Sequence, residues 1–147
     1  MPGLVEGKAG LVTGSAGGIG RATALALARE GAAGVLVTDL PSRQEDGEET
    51  VHLIEQEGGH AVFVAGDVTV GADCGAVVAK TVEAFGRLDF AHNNAGVELQ
   101  ATVEETEEDG WDHMLDVNLK GAFICSRAAA PRTGSGGAIA NGGIFIA

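Results

Sequence analysis

The residues whose types and spacing could do chemistry are Leu11-Val12-Thr13-Gly14-Ser15-Ala16-Gly17-Gly18-Ile19-Gly20. A short apolar run enters a glycine-rich turn, and an Ala/Leu-rich run with helical spacing, 21–29, leaves it. At a helix start, unpaired N–H groups and the positive end of the dipole favour an anion such as a pyrophosphate. Glycine lets the backbone turn tightly, and with no Cβ it lets a phosphate come close. Gly14, Ser15, Gly18, Ile19 and Gly20 are therefore expected to cradle the anion. A second apolar run, 34–38, ends at Asp39 with Leu40 beside it. That acid lies about 20 residues past the turn, where a dinucleotide fold sets a carboxylate on the adenosine ribose. A phosphate on that ribose would be repelled, so Asp39 favours NAD over NADP. Arg43 is close enough in sequence to soften the preference, and it also reads as an ordinary surface arginine. For the whole stretch, a plain strand-helix-strand unit is the alternative.

These groups need elements to hold them. The pattern predicts a strand at 8–13, a helix at 18–30 stopped by Gly31, and a strand at 34–38. Pro41-Ser42 opens a loop, and 45–57 reads as a helix with Val51 and Ile54 on its inner face. The run 61–65 is apolar nearly throughout, as a strand in a sheet buried on both faces requires. A helix at 73–85 spaces Val77, Val78, Val82 and Phe85 for burial. A fourth strand, 88–92, runs into Asn93-Asn94-Ala95-Gly96. After a partly helical acidic segment at 102–108, 109–130 is the longest helix candidate, ended by Pro131. Trp111, Leu115, Leu119 and Phe123 are expected to face the sheet, with Met114, Ala122, Cys125 and Ala129 extending the apolar character around the helix. Strands alternating with helices imply a parallel sheet covered on both faces. The expected architecture is α/β: a Rossmann-type, doubly wound dinucleotide-binding domain over 1–147, with the register of 132–147 uncertain.

A chain of 147 residues can bury a sizeable core. Its net charge of −12 argues against nonspecific binding to nucleic acid or anionic membrane. The acidic runs at 45–57 and 104–112 read as solvated helix faces. Cys74 and Cys125 stand alone, without ligand spacing, and read as small core hydrophobes in a reducing compartment. His52, His60, His92 and His113 form no recognised metal spacing, so no metal is expected. Residues 1–6 have neither the basic start nor the apolar core of a signal peptide, and no apolar run is long enough to span a bilayer. The expected compartment is the cytoplasm.

The spacing Thr13-Gly14-x-x-x-Gly18-x-Gly20 resembles the short-chain dehydrogenase/reductase family. Asp67-Val68, Asn93-Asn94-Ala95-Gly96 and Asp116-Val117-Asn118-Leu119-Lys120-Gly121 resemble it too, in matching order, from about residue 8 to 131. The resemblance implies hydride transfer between a nicotinamide and a small-molecule secondary alcohol or ketone, in a dimer or tetramer. It also implies that Asp67 and Val68 flank the adenine, with the acid facing its amino group; a turn-capping Asp67 is the alternative. Asn94, Ala95 and Gly96 would line the ribose on the nicotinamide side, and Val117 would touch the cofactor. Asn93 reads as structural, tying loops to the fourth strand. Asn118 would belong to the family's catalytic group of Asn, Ser, Tyr and Lys, helping to hold a water that relays protons to the lysine. A packing or helix-kinking asparagine is the alternative. In the family, the helix holding this residue packs against its copy in another subunit.

The family chemistry uses a tyrosine as general acid/base and a serine to orient the substrate oxygen. These 147 residues contain no tyrosine. Their last lysine is Lys120, and Ser126 and Ser135 do not fall where the catalytic serine belongs. The tail reads in two ways. Gly137-Ala138-Ile139-Ala140-Asn141 looks like the family's fifth strand, with Ile144 in the serine position. Thr133-Gly134 and Asn141-Gly142-Gly143 instead look like the family's C-terminal segment, with a middle block missing. Either way a partial family member is expected. Its function is an NAD-linked oxidoreductase or, as the rival, a catalytically silent dinucleotide-binding or partner-binding protein.

Overall fold

Five parallel strands form one sheet in the order β3-β2-β1-β4-β5 in a computed structural model that describes residues 1–142. The strands are β1 (Ala9–Thr13), β2 (Gly34–Asp39), β3 (Ala61–Ala65), β4 (Phe90–Asn93) and β5 (Ala138–Asn141). Side chains alternate across a strand, and here that alternation sorts the core into two layers. Val12, Val35 and Val37 point to one face and pack with Ala24 and Ile54. Leu11 and Leu36 point to the other and pack with Val77, Val78 and Ala129. Helices α1 (Gly18–Arg29) and α2 (Gln44–Gln56) supply the first layer, and α3 (Gly71–Phe85) with α5 (Gly121–Ala129) supplies the second. The sheet is buried on both faces, which is why its central strands are apolar up to their polar carboxyl ends.

The register brings the carboxyl ends of the strands level. Thr13 pairs with Thr38, and Asp39 with Ala65. After β1 the chain steps to β2 and β3 on one side; after β3 it crosses back to β4 on the other. Such a reversal opens a crevice above the strand ends. At the opposite end Asp89 joins three strands. Its carboxylate accepts from the Ala9 amide at 2.9 Å, its amide donates to the Ala9 carbonyl, and its carbonyl accepts from Ala138. The Arg87 guanidinium beside it holds its carboxyl below the usual range.

The expected helix at 109–130 is three contiguous pieces: α4 (Glu108–Leu115), a π-helical turn (Asp116–Lys120) and α5. Its expected facing is corrected. Gly121, Ile124, Cys125 and Ala129 are buried, whereas Trp111, Leu119 and Phe123 are 51%, 64% and 60% exposed. At 100° per residue, positions 119 and 123 lie opposite 121 and 125. Small residues hold the inner face because the packing is close: a Cβ at Gly121 would come within 2.7 Å of Val68. No helix among the described residues is long and apolar enough to cross a membrane. None of their His, Cys, Asp and Glu side chains form a group of three or more able to hold a metal ion.

Candidate functional site

A cleft of about 390 Å³ opens at the carboxyl ends of the central strands, where the chain reverses. Its floor is the turn after β1. Gly14 and Gly18 have φ of +64° and +53°, a region open to glycine and costly for other residues. A Cβ on Gly18 would meet no heavy atom of the described residues within 4 Å, so the turn presents bare backbone to the cleft. α1 begins there with Gly17 as its N-cap, and no side chain among the described residues caps it. Its first-turn amides have no intrahelical acceptor.

The residues singled out from the sequence come together around this floor. Gly14, Gly18 and Ile19 line the turn, and Asp39 and Leu40 close one end. Asp67 and Val68 form one wall; Asn94, Ala95, Gly96 and Val117 form the other. Ile19 and Leu40 are apolar yet 70% and 44% exposed, which leaves apolar rims for flat rings. The Asp39 carboxylate accepts from the Ala16 amide at 3.1 Å and its neighbour Leu40 at 2.9 Å. A carboxylate has about four acceptor sites, so capacity remains. Asp67 Oδ1 accepts from both the amide and the hydroxyl of Thr69, the turn-capping arrangement, while Oδ2 accepts from none of the described residues.

Three residues stand off the wall. Ser15 is fully buried: its hydroxyl donates to the Val12 carbonyl at 2.6 Å and accepts from the Thr38 amide at 3.1 Å. Its own amide donates to the Thr38 carbonyl. Ser15 therefore pins the turn to β2, with its hydroxyl and its amide both engaged there. Gly20 is also buried, and a Cβ there would collide with the Gly14 carbonyl oxygen, so its role is to let α1 start against the turn. Asn118 sits behind the cleft. Its amide donates to the Val97 carbonyl at 2.9 Å and accepts from the Val97 amide at 2.7 Å, clamping the segment after Gly96.

Further hydrogen bonds and neighbours complete the site. Thr13 Oγ1 accepts from the amides of Asn94 and Ala95, and the Asn94 side chain donates back to the Thr13 and Gly14 carbonyls. Behind the turn, Thr50 donates to the Ser15 carbonyl and Arg21 to the Ala16 carbonyl. Thr38 Oγ1 is buried on the cleft wall without a partner among the described residues. Arg43 also lines the cleft: it pairs with Asp46 at 2.9 Å, and its Nη2 would lie 3.1 Å from a Cβ on Gly17. The one signal available for Thr13 and Thr38 was their place as polar residues ending apolar strands. Asn93, expected to be structural, is buried and donates to Ser126 and Asn141, tying β4 to α5 and β5.

A doubly wound parallel sheet with a glycine floor at its switch point defines a protein of the Rossmann class. The pattern of the family described as short chain dehydrogenase matches residues 8–143. The chain belongs to the short-chain dehydrogenase family. It is 43% identical over 138 residues to an uncharacterized oxidoreductase of Thermotoga maritima, covering 92% of this chain and 53% of that protein. It is 41% identical to a 3beta-hydroxysteroid dehydrogenase of Mediterraneibacter gnavus, covering 95% of this chain and 50% of that one. A solved dehydrogenase/reductase from Sinorhizobium meliloti superposes with a TM-score of 0.86 at 39% identity, over 91% of this chain and 52% of its own. The chain thus spans about half the length of the curated relatives it matches.

Proposed function

We propose that these residues form the NAD-binding part of an oxidoreductase that interconverts a secondary alcohol and a ketone. The observation that carries the reading is the bare glycine floor at the uncapped start of α1, with the Asp39 carboxylate at one end of the same cleft. The amides of the Gly14–Gly20 turn would hold the pyrophosphate. Asp39 would accept from the ribose hydroxyls, Asp67 and Val68 would flank the adenine, and Asn94, Ala95, Gly96 and Val117 would border the nicotinamide half. When bound, the cofactor supplies hydride acceptor and donor chemistry at its nicotinamide ring. Asn118 acts here as a positioning residue, because its amide grips Val97. Arg43 lines the same cleft as Asp39, and its charge would soften the NAD preference.

The family's acid/base tyrosine has no counterpart among these 147 residues. We therefore read them as binding dinucleotide without turning it over by themselves, which is also the silent-binder reading. The parallel pairing of Ala138–Asn141 with β4 supports the fifth-strand reading of the tail. The exposed stripe of Trp111, Leu119 and Phe123 supports self-association through this helix face, and the β5 edge is a second route. The activity, substrate class and assembly rest on the family, and a cytoplasmic location is part of the same reading.

Fluorescence titration with NADH and NADPH tests the binding. NADH should bind more tightly, and Asp39→Ala should erase the difference. Tighter NADPH binding by the unaltered chain would refute the role of Asp39. Robust NAD reduction with secondary alcohols, on material of verified mass, would refute the silent part.

A further inference from the structure

Cys74 on α3 and Cys125 on α5 are 51 positions apart, yet their sulfurs lie 2.9 Å apart. Both are buried, 4% and 6% exposed, and both are free thiols. The two sulfurs are in direct contact, as closing an S–S bond requires. The side chains therefore already converge across the α3–α5 interface. The pair lies outside the cleft, and nothing in the proposed cofactor chemistry uses it.

A small cavity borders both cysteines, walled by Leu11, Val77 and Val78. Thr13, Thr38, Gly66, Asp67 and Val68 wall this cavity and the cleft alike. A small neutral molecule in the cleft is thus one layer of side chains from the sulfurs. Cys74 donates to the Val68 carbonyl at 3.4 Å. The Cys125 S–H, donated to Cys74, holds the Cys74 thiol below its usual range, against burial and the nearby charges of Asp73 and Asp67. The same bond and burial push the Cys125 thiol up. The two cysteines are therefore unequal in their surroundings: Cys74 borders the Val68 carbonyl as well as Cys125, whereas among the described residues Cys125 hydrogen-bonds only to Cys74.

We propose that Cys74 and Cys125 are an oxidative modification site, a dithiol that a peroxide closes into an internal disulfide stapling α3 to α5. The Cys74 thiolate attacks one peroxide oxygen, the O–O bond breaks, and sulfenic acid forms as hydroxide leaves. The hydroxide takes up the proton released when Cys74 ionised. The Cys125 sulfur then attacks the Cys74 sulfur, the S–OH bond breaks, and a second water leaves with the Cys125 proton. Two thiols lose two hydrogens and two electrons, and one peroxide becomes two waters. Closure ties off the chain between 74 and 125 and removes the thiol hydrogen bond to Val68.

Hydrogen peroxide treatment of the full chain tests this, read by non-reducing intact mass, thiol titration after denaturation, and thermal melting. A monomer lighter by two hydrogens, with no titratable thiol and a Tm raised by roughly 5–15 °C, is expected, all reversed by dithiothreitol. Retained thiols, added oxygen without hydrogen loss, or a disulfide-linked dimer would overturn the site, and an unchanged Tm would overturn the staple. Cys125→Ser should leave Cys74 at the sulfenic acid, trapped by dimedone. A Cys74 that peroxide does not touch in this variant overturns its role as the attacked thiol. If the variant does not fold, the mass of the unaltered chain still decides.

Discussion

Gly14→Ala and Gly18→Ala put one methyl group at two positions of the same turn, and the structure separates their costs. Both glycines have left-handed φ, +64° and +53°, so alanine is strained at each by about 1–2 kcal/mol. Only at position 14 does the methyl also collide. Its Cβ would lie 2.8 Å from the Ala95 Cα and 3.1 Å from the Ala95 amide nitrogen, both backbone atoms. Forcing that segment to move adds about 1–3 kcal/mol. Gly18→Ala should then cost about 1–2 kcal/mol and Gly14→Ala about 2–5 kcal/mol. For a domain of this size that corresponds to Tm losses of roughly 2–8 °C and 4–20 °C. Urea titration monitored by circular dichroism measures both, with the slope checked for constancy. The displaced segment carries the Asn94 and Ala95 amides bonded to Thr13 Oγ1. Their hydrogen exchange should quicken in Gly14→Ala alone. Equal costs, or a larger cost at Gly18, would refute the view that the turn after β1 rests directly on the end of β4.

Asn118→Ala should cost about 1–3 kcal/mol, because the Val97 amide and carbonyl both lose their partner; Asn118→Asp, which keeps the acceptor, should bring back Val97 amide protection in hydrogen exchange. The depressed Asp89 pKa gives an acid-side dependence: the carboxylate stabilises the fold above its unfolded pKa of about 3.9, and that contribution is lost as pH falls through the lower folded value. Urea midpoints of the unaltered chain should therefore fall across that acid window, and Asp89→Asn should be less stable near neutrality with a flatter acid limb. Phe123→Glu should shift light scattering toward monomer while leaving the melt within a few degrees, since Phe123 is exposed. Ala129→Glu would instead unfold the chain, because Ala129 is only 1% exposed in the core. A dilution series showing monomer at every concentration removes the association reading.

The order of strands and helices and the glycine turn were legible because they depend on local chemistry. Glycine is required where φ is positive, and a strand buried on both faces must be apolar along its length. Asp39 could be placed from spacing alone because a β-α-β unit has a nearly constant length. Long-range contacts could not be read this way. Ser15 sits in the glycine run like any phosphate-binding serine, but the approach of β2 turns its hydroxyl inward to Thr38. Trp111, Leu119 and Phe123 made a consistent helical stripe, as did Gly121, Cys125 and Ala129. Which stripe meets the core depended on how closely α3 and Val68 press on α5, and only small side chains fit there. Cys74 and Cys125 carried no spacing signal, since their contact exists only across two packed helices. The sequence by itself determined the class of fold and the glycine turn at its switch point. The tertiary structure decided which side chains line the cleft, which brace it from behind, and which two sulfurs meet.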